Sequence, residues 1–452
     1  MRITTADLWS PEPGRLLRWD VTATAPGRPV PLSLNQRNHL AVADAGEATV
    51  WLAAAFDVDG PIDVTALERA LQAFVARHSS LQIGVERTEE GPVATRYEPG
   101  TLRWLVREEA HPDAVAGMRA AVAHALTEGC QPYGYAAFTP LAISRRQRST
   151  VVLGMDHLLA DAYSTAVVVD ELAELYAAFR DGRGQPELPP AGCFAASVAA
   201  DADQPVEVWH DDQRLRAWHD FARERDFTLP TFPLGLGVEP GERVAQASRV
   251  VELADAVTTD GLAVAARAAS SSTYAVVLAA LATAVRDLGG PERLDLLAPV
   301  QTRGERAGER AVGWYTTTVP VGLAADTSRP GLAAAGESVR RGVGLGDVPL
   351  DQVIATLPEP LRPLRRDVFQ VSWIDYRHLP GARQADARNA HHLSATTLAD
   401  DLQLWVARTD AGLTARVRRP STETAREVSD TLLDVWRGRL QQIASRELAP
   451  AG

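Results

Sequence analysis

The segment Ser149-Thr150-Val151-Val152-Leu153-Gly154-Met155-Asp156-His157-Leu158-Leu159-Ala160-Asp161-Ala162-Tyr163-Ser164-Thr165 changes its hydrophobic period part-way along. Its first half is an apolar, β-branched run of strand type. From Thr165 to Arg180 the apolar residues Val168, Leu172, Leu175, Tyr176 and Phe179 fall at the spacing of a buried helical stripe. His157 and Asp161 therefore occupy a strand-to-helix turn, with Ser164 expected as the helix N-cap. Such a turn can present a ring nitrogen at a sheet edge while the strand behind holds the imidazole rigidly, the mount a catalytic base needs.

The surrounding chain has room for large cores. At 452 residues and 46% hydrophobic it is expected to fold as two domains. No apolar run is long enough to span a bilayer, and Met1 to Asp7 lacks the basic-then-apolar pattern of a secretory leader, so the cytoplasm is the expected compartment. Cys130 and Cys193 lie far apart with no CxxC partner; they read as isolated core thiols, and no metal site is indicated.

A net charge of −12 argues against nucleic acid as a partner, since phosphate binding requires a basic surface. Local basic clusters at 145–148, 362–366 and 416–419 read as solvated faces, with Arg362 to Arg366 also a candidate for a donor phosphate. The chain has no lysine: all 46 basic residues are arginine. That removes a Walker-type lysine, a Schiff-base lysine and a Ser-Lys dyad together. Nor is there a GxSxG elbow or a GxGxxG loop.

In chain order, residues 1–30 read as an extended lead-in. A helix capped by Ser33 follows, in which His39 reads as a packed histidine. A strand at 48–56, a helix from Asp63 to Arg77, a strand near 82–86 and a helix at 113–128 complete a first lobe, 1–185, that ends at Asp181-Gly182-Arg183-Gly184. Residues 186–206 read as a linker. The second lobe, 207–452, has a helix over 260–288, strands at 294–300, 312–321 and 368–376, a strand pair turning at 410–412, and a closing helix over 423–443. Two lobes of like content permit a pseudo-dimer with a ligand cleft between them.

Alone, HxxxD is a weak motif among ten histidines. Its neighbours strengthen it. Pro31 to Leu40 and Ala70 to Leu81 resemble the first two motifs of the condensation-domain superfamily, and Asp156-His157-Leu158-Leu159-Ala160-Asp161-Ala162 resembles its HHxxxDG signature, with Asp156 in place of the first His and Ala162 in place of the Gly. Ala298 to Arg303, Val312 to Pro320, Asp347 to Ile354 and Val368 to Val371 follow in the family's order, Thr317 standing where Asn is usual. Trp373 to Gly381 looks like free-standing members, including polyketide-associated acyltransferases.

The resemblance implies an α/β fold, a two-lobed pseudo-dimer of chloramphenicol-acetyltransferase-like domains with a cleft between them. It implies transfer of an acyl group from a phosphopantetheine thioester, on an acyl or peptidyl carrier protein or on coenzyme A, to a small-molecule alcohol or amine, making an ester or amide in natural-product or lipid biosynthesis. No cofactor beyond that donor is implied. A neutral imidazole can accept the nucleophile's proton near operating pH, and the resemblance assigns this to His157. It pairs Asp161 with Arg303 away from the cleft, as support for the loop. Asp156, Ala162, Trp314, Gln370 and Ser372 are candidates to line the cleft, and a backbone amide near Ala162 or a group from the second lobe to meet the oxyanion. The substitutions at 156 and 162 motivate a different class of reading, a catalytically silent member that docks a carrier protein; an epimerase-like or cyclising relative is a third.

Overall fold

In the computed structural model, which describes residues 1–48, 50–203, 208, 212–304 and 308–448, the quoted segment is a strand, Arg148–Asp156, a short turn, and a helix, Ala162–Arg180. The strand is the middle one of a seven-stranded sheet ordered Arg2–Thr5, His391–Ser394, Trp51–Asp59, Arg148–Asp156, Phe138–Ser144, Arg15–Ala23, Leu102–Ala110. Only the edge pair Arg2–Thr5 and His391–Ser394 is parallel. Every residue from Ser149 to Asp156 is buried. A strand covered on both faces has no reason to alternate, so it reads as one apolar run.

The helix Val115–Gly129 packs Met118, Val122 and Leu126 into a cluster with Trp51, Ala53, Leu141, Ile143 and Val152 of the sheet. Gly154 lies under that helix. A Cβ there would meet Leu126 Cδ2 at 2.3 Å and Cys130 Sγ at 3.0 Å, so close approach of helix to strand depends on the missing side chain. Burial in this layer pushes the Cys130 thiol up to about 12.

The helix Ala162–Arg180 packs on Trp51–Asp59 and on the helix Val64–Arg77. Its Val167-Val168-Val169 run disfavours helix through lost χ1 freedom, yet all three are buried and packing decides. Glu171, fully buried in the same helix, accepts from Arg77 Nε at 2.8 Å and pairs with His78 Nε2 at 2.9 Å. Burial alone would raise its carboxyl, but those two partners outweigh burial and hold it low. This buried network ties the two helices together, and nothing in the sequence reading had singled out Glu171.

The chain divides into two mixed α/β units. The first comprises Met1–Pro205, Arg303–Thr316 and Tyr376–Thr397; the second comprises Val206–Thr302, Thr317–Asp375 and Leu398–Gly452. Two stretches from the C-terminal half thus fold into the first unit. The second unit has a five-stranded sheet ordered Val371–Asp375, Gln403–Thr409, Gly412–Pro420, Val244–Asp255, Leu398–Ala399. Its helix Thr273–Asp287 is buried continuously from Ala275 to Val285, which accounts for a sequence apolar on all sides. Among the described residues no single helix is long and apolar enough to cross a membrane.

Four expectations are corrected here. Residues 1–30 are not a lead-in: Arg2–Thr5 and Arg15–Ala23 are sheet strands, with Leu16, Leu17, Trp19 and Val21 buried, their alternation hidden by flanking Pro and Gly. Within the supposed linker, Phe194–Asp203 is a helix that buries Phe194, Ala195 and Val198; positions 204–206 lie outside the described residues. The helix expected over 260–288 is two, Ala256–Ala268 and Thr273–Asp287, because Ser270 turns to φ +50° and the Ser272 hydroxyl caps the second by accepting from Ala275 N. Asp161, not Ser164, is the N-cap of Ala162–Arg180, its carboxylate accepting from Ser164 N at 2.9 Å.

Gly154→Ala should cost about 1–3 kcal/mol, because Leu126 is enclosed and has nowhere to retreat. Urea unfolding reads this as a lower midpoint at unchanged slope; a parent-like midpoint would show that the helix Val115–Gly129 can shift at no cost.

Candidate active site

His157 follows the last residue of the central strand. Its backbone N–H donates to Val50 O at 2.9 Å, so the strand register fixes its Cα. The half-buried imidazole stacks on the Trp314 indole, with centroids 3.9 Å apart and planes inclined by 31°. Its Nδ1 is enclosed and has no hydrogen-bond partner among the described residues. Among the described residues no carboxylate orients this ring as in a Ser-His-Asp triad; an aromatic face lies against it instead. Burial, reinforced by the nearby His39, lowers the pKa of His157 below the ordinary histidine value, favouring a neutral ring.

Asp161 does not touch that ring. Its carboxylate takes a two-point contact from Arg303, NH1 to Oδ2 at 2.7 Å and NH2 to Oδ1 at 2.8 Å, and it also accepts from Tyr315 N and from the Ser164 N–H and hydroxyl. Burial would raise this carboxyl, but the guanidinium charge and the hydrogen bonds prevail and hold it below the usual carboxylate range. Arg303 also donates to Ala311 O and Gly313 O and lies against the rings of Tyr163 and Tyr315. Ser164 Oγ, whose proton goes to Asp161, accepts from Gly313 N at 3.2 Å. Residues 311–315 are therefore pinned to the N-terminus of Ala162–Arg180. Trp314 rides on that segment, held through Nε1 to Thr316 Oγ1 at 2.9 Å. Asp161 thus reaches His157 indirectly, by fixing the backbone that carries the stacking ring.

A third group, His39, belongs to the site although its sequence neighbours give no sign of that. The helix Leu34–Asp44 begins with a capping box in which Ser33 Oγ accepts from Gln36 N and Gln36 Oε1 accepts from Ser33 N. The buried Gln36 then donates through Nε2 to Leu158 O at 3.0 Å. One turn on, His39 sets Nε2 2.7 Å from Asp156 Oδ1 and an edge toward Trp314, centroids 5.8 Å apart. His39 is packed, as expected, but packed into the site. It lies three residues after Gln36, on the same helical face.

Asp156, a candidate to meet substrate, has no exposed surface; it accepts from His39 and from Leu158 N, and so shapes the turn from within. Ala162 is the half-buried first residue of its helix. Gln370 and Ser372 are half-buried in the second unit, Ser372 within the strand Val371–Asp375 opposite Trp405. The Arg362–Arg366 cluster is largely engaged: Arg362 donates to Asp226, and Arg365 to Asp400 O and Val238 O. Cys193 is half-buried, its thiol donating to Ser79 Oγ at 3.2 Å. Among the described residues no three His, Cys, Asp or Glu side chains gather as a metal site.

Comparison with known proteins adds to this geometry. Residues 28–401 match the family model of the condensation domain. The trehalose-2-sulfate acyltransferase PapA2 of Mycobacterium tuberculosis is 27% identical over 337 residues, 71% of this chain and 70% of that protein. Acyltransferase PapA3 of the same organism is 24% identical over 476 aligned positions, 98% of this chain and 97% of that protein. Among solved structures, a PapA2 acyl transferase superposes with a TM-score of 0.88 at 24% identity, covering 98% of this chain and all of that one. The first condensation domain of the calcium-dependent antibiotic synthetase superposes at 0.65 with 18% identity, covering 95% and 98%.

Asp161→Ala removes the two-point carboxylate contact of the buried Arg303 guanidinium, and is expected to cost about 3–5 kcal/mol. A variant melting like the parent would remove the pair from its supporting role.

Proposed function

The chain belongs to the condensation-domain family, and from that premise we propose that it is an acyltransferase carrying an acyl group from a phosphopantetheine-type thioester to a hydroxyl or amine, with His157 as general base. The carrying observation is the half-buried His157 ring stacked on Trp314, lowered in pKa by burial and with no carboxylate hydrogen-bonded to it among the described residues. With Nδ1 enclosed, Nε2 is the nitrogen left to accept. The acceptor's proton passes to Nε2 as its oxygen or nitrogen attacks the thioester carbonyl. The tetrahedral adduct then collapses, the C–S bond breaks, and the imidazolium returns the proton to the departing thiolate. The base is regenerated neutral and no covalent enzyme intermediate is required.

A sugar hydroxyl is the first acceptor to try, since a relative's name specifies a sulfated trehalose. The thioester is carried either by a carrier protein or by coenzyme A. Asp156, in place of the signature's first histidine, does not favour a silent member: its carboxylate is accommodated by the His39 donor and the Leu158 amide.

Acyl-coenzyme A and acyl-N-acetylcysteamine donors, each incubated with trehalose, simple alcohols and amines, test the reading by mass spectrometry. Transfer should fall by about 10²–10⁴ in His157→Ala with melting unchanged. Product undiminished in that variant would remove the mechanism, and no product with any pair would remove the activity.

Because the folded pKa of His157 lies below 6.5, the ring is neutral above that lowered value and protonated beneath it. The acidic limb of kcat/KM should therefore have its midpoint below pH 6.5; a limb above it contradicts the assignment.

A further inference from the structure

Asp156 Oδ1 does two things at once. It accepts from Leu158 N at 2.8 Å, closing an Asx turn across His157, and it is paired with His39 Nε2 at 2.7 Å. The carboxylate has no exposed surface, its Oδ2 has no partner among the described residues, and the His39 side chain is only 10% exposed. With the carboxylate as acceptor, His39 Nε2 is the donor of this bond. The His39 ring meets Trp314 edge-on at 79°, and Trp314 is the ring that stacks on His157. His39 thus contacts both structures that orient the proposed base: the turn beneath it and the indole beside it. Gln36, one turn earlier, fixes the register of the same helix through Leu158 O.

We infer that His39 and Asp156 form a positioning dyad that sets the orientation of His157 for acyl transfer. The inference rests on the reading of His157 as the base, but its structural content stands apart from that activity. His39 does not touch the reacting atoms; it acts through the Asx turn and through the indole.

The groups facing His157 are His39 from the helix Leu34–Asp44, Asp156 from the strand, and Asp161 from the cap of the following helix, the last engaged with Arg303. A proton on His39 opposes one on His157, with centroids 6.4 Å apart; Asp156 and Asp161 favour it. Removing His39 therefore moves the His157 titration upward.

The experiment follows the His157 ring directly, by ¹⁵N-edited NMR of histidine-labelled full-length protein, with His157 assigned by its loss in His157→Gln. In His39→Leu the His157 midpoint is expected to rise. Its ring shifts should also move toward tautomer-averaged values, with kcat down about tenfold or more and KM for both substrates within about twofold. His39→Gln keeps a donor of similar reach to Asp156 and should recover most of kcat while leaving the titration raised. If His39→Leu fails to fold, His39→Gln supplies the titration readout. Parent-like ring shifts and midpoint in a folded His39 variant overturn the dyad, whatever the activity. A parent protein without transferase activity overturns the functional reading instead, and the ring titration still decides the dyad.

Discussion

The buried pair between Asp161 and Arg303 is the constraint on which the site depends. Taking two charges out of water is costly, and their attraction repays it only when the remaining donors and acceptors are also satisfied. Here they are: the carboxylate meets the guanidinium at two points, caps a helix and takes a backbone N–H from Tyr315, while the guanidinium spends further donors on carbonyls of 311–313. The result is specificity of position. A segment of the chain more than a hundred residues downstream is brought to the start of Ala162–Arg180, in one register.

What that register delivers is an aromatic face for His157. In a triad, the base is oriented by a carboxylate that also stabilises the imidazolium. Here Nδ1 has no such partner, and burial disfavours the charged ring. An imidazole arranged in this way is neutral near pH 7 and its imidazolium a comparatively strong acid, both of which the proposed role in acyl transfer requires. The nearby acid, Asp156, is turned away into the pair with His39 and the Leu158 amide.

The absence of lysine gains meaning beside these contacts. A planar guanidinium can satisfy a carboxylate at two points, bond carbonyls with its other N–H groups and lie against rings, all of which Arg303 does. Arg77 and Arg365 are likewise occupied with a buried carboxylate or backbone carbonyls. Within the clusters that look like surface charge in the sequence, Arg365 and the buried Arg416 are taken up by the fold itself.

Local chemistry made part of this legible from the order of residues alone. The central strand and the helix after it, the turn holding His157, the Ser33 cap and the stop at Gly182 each follow from short-range rules of burial period and capping, which operate within a few residues. Motif order supplied the family. Only folding could reveal that Arg15–Ala23 joins the same sheet, or that 303–316 and 376–397 belong to the first unit. The same holds for His39 and Trp314, which meet His157 from segments over a hundred positions away on either side. Those partnerships arise because charges and rings buried together must satisfy one another in three dimensions, and separation along the chain carries no record of that requirement.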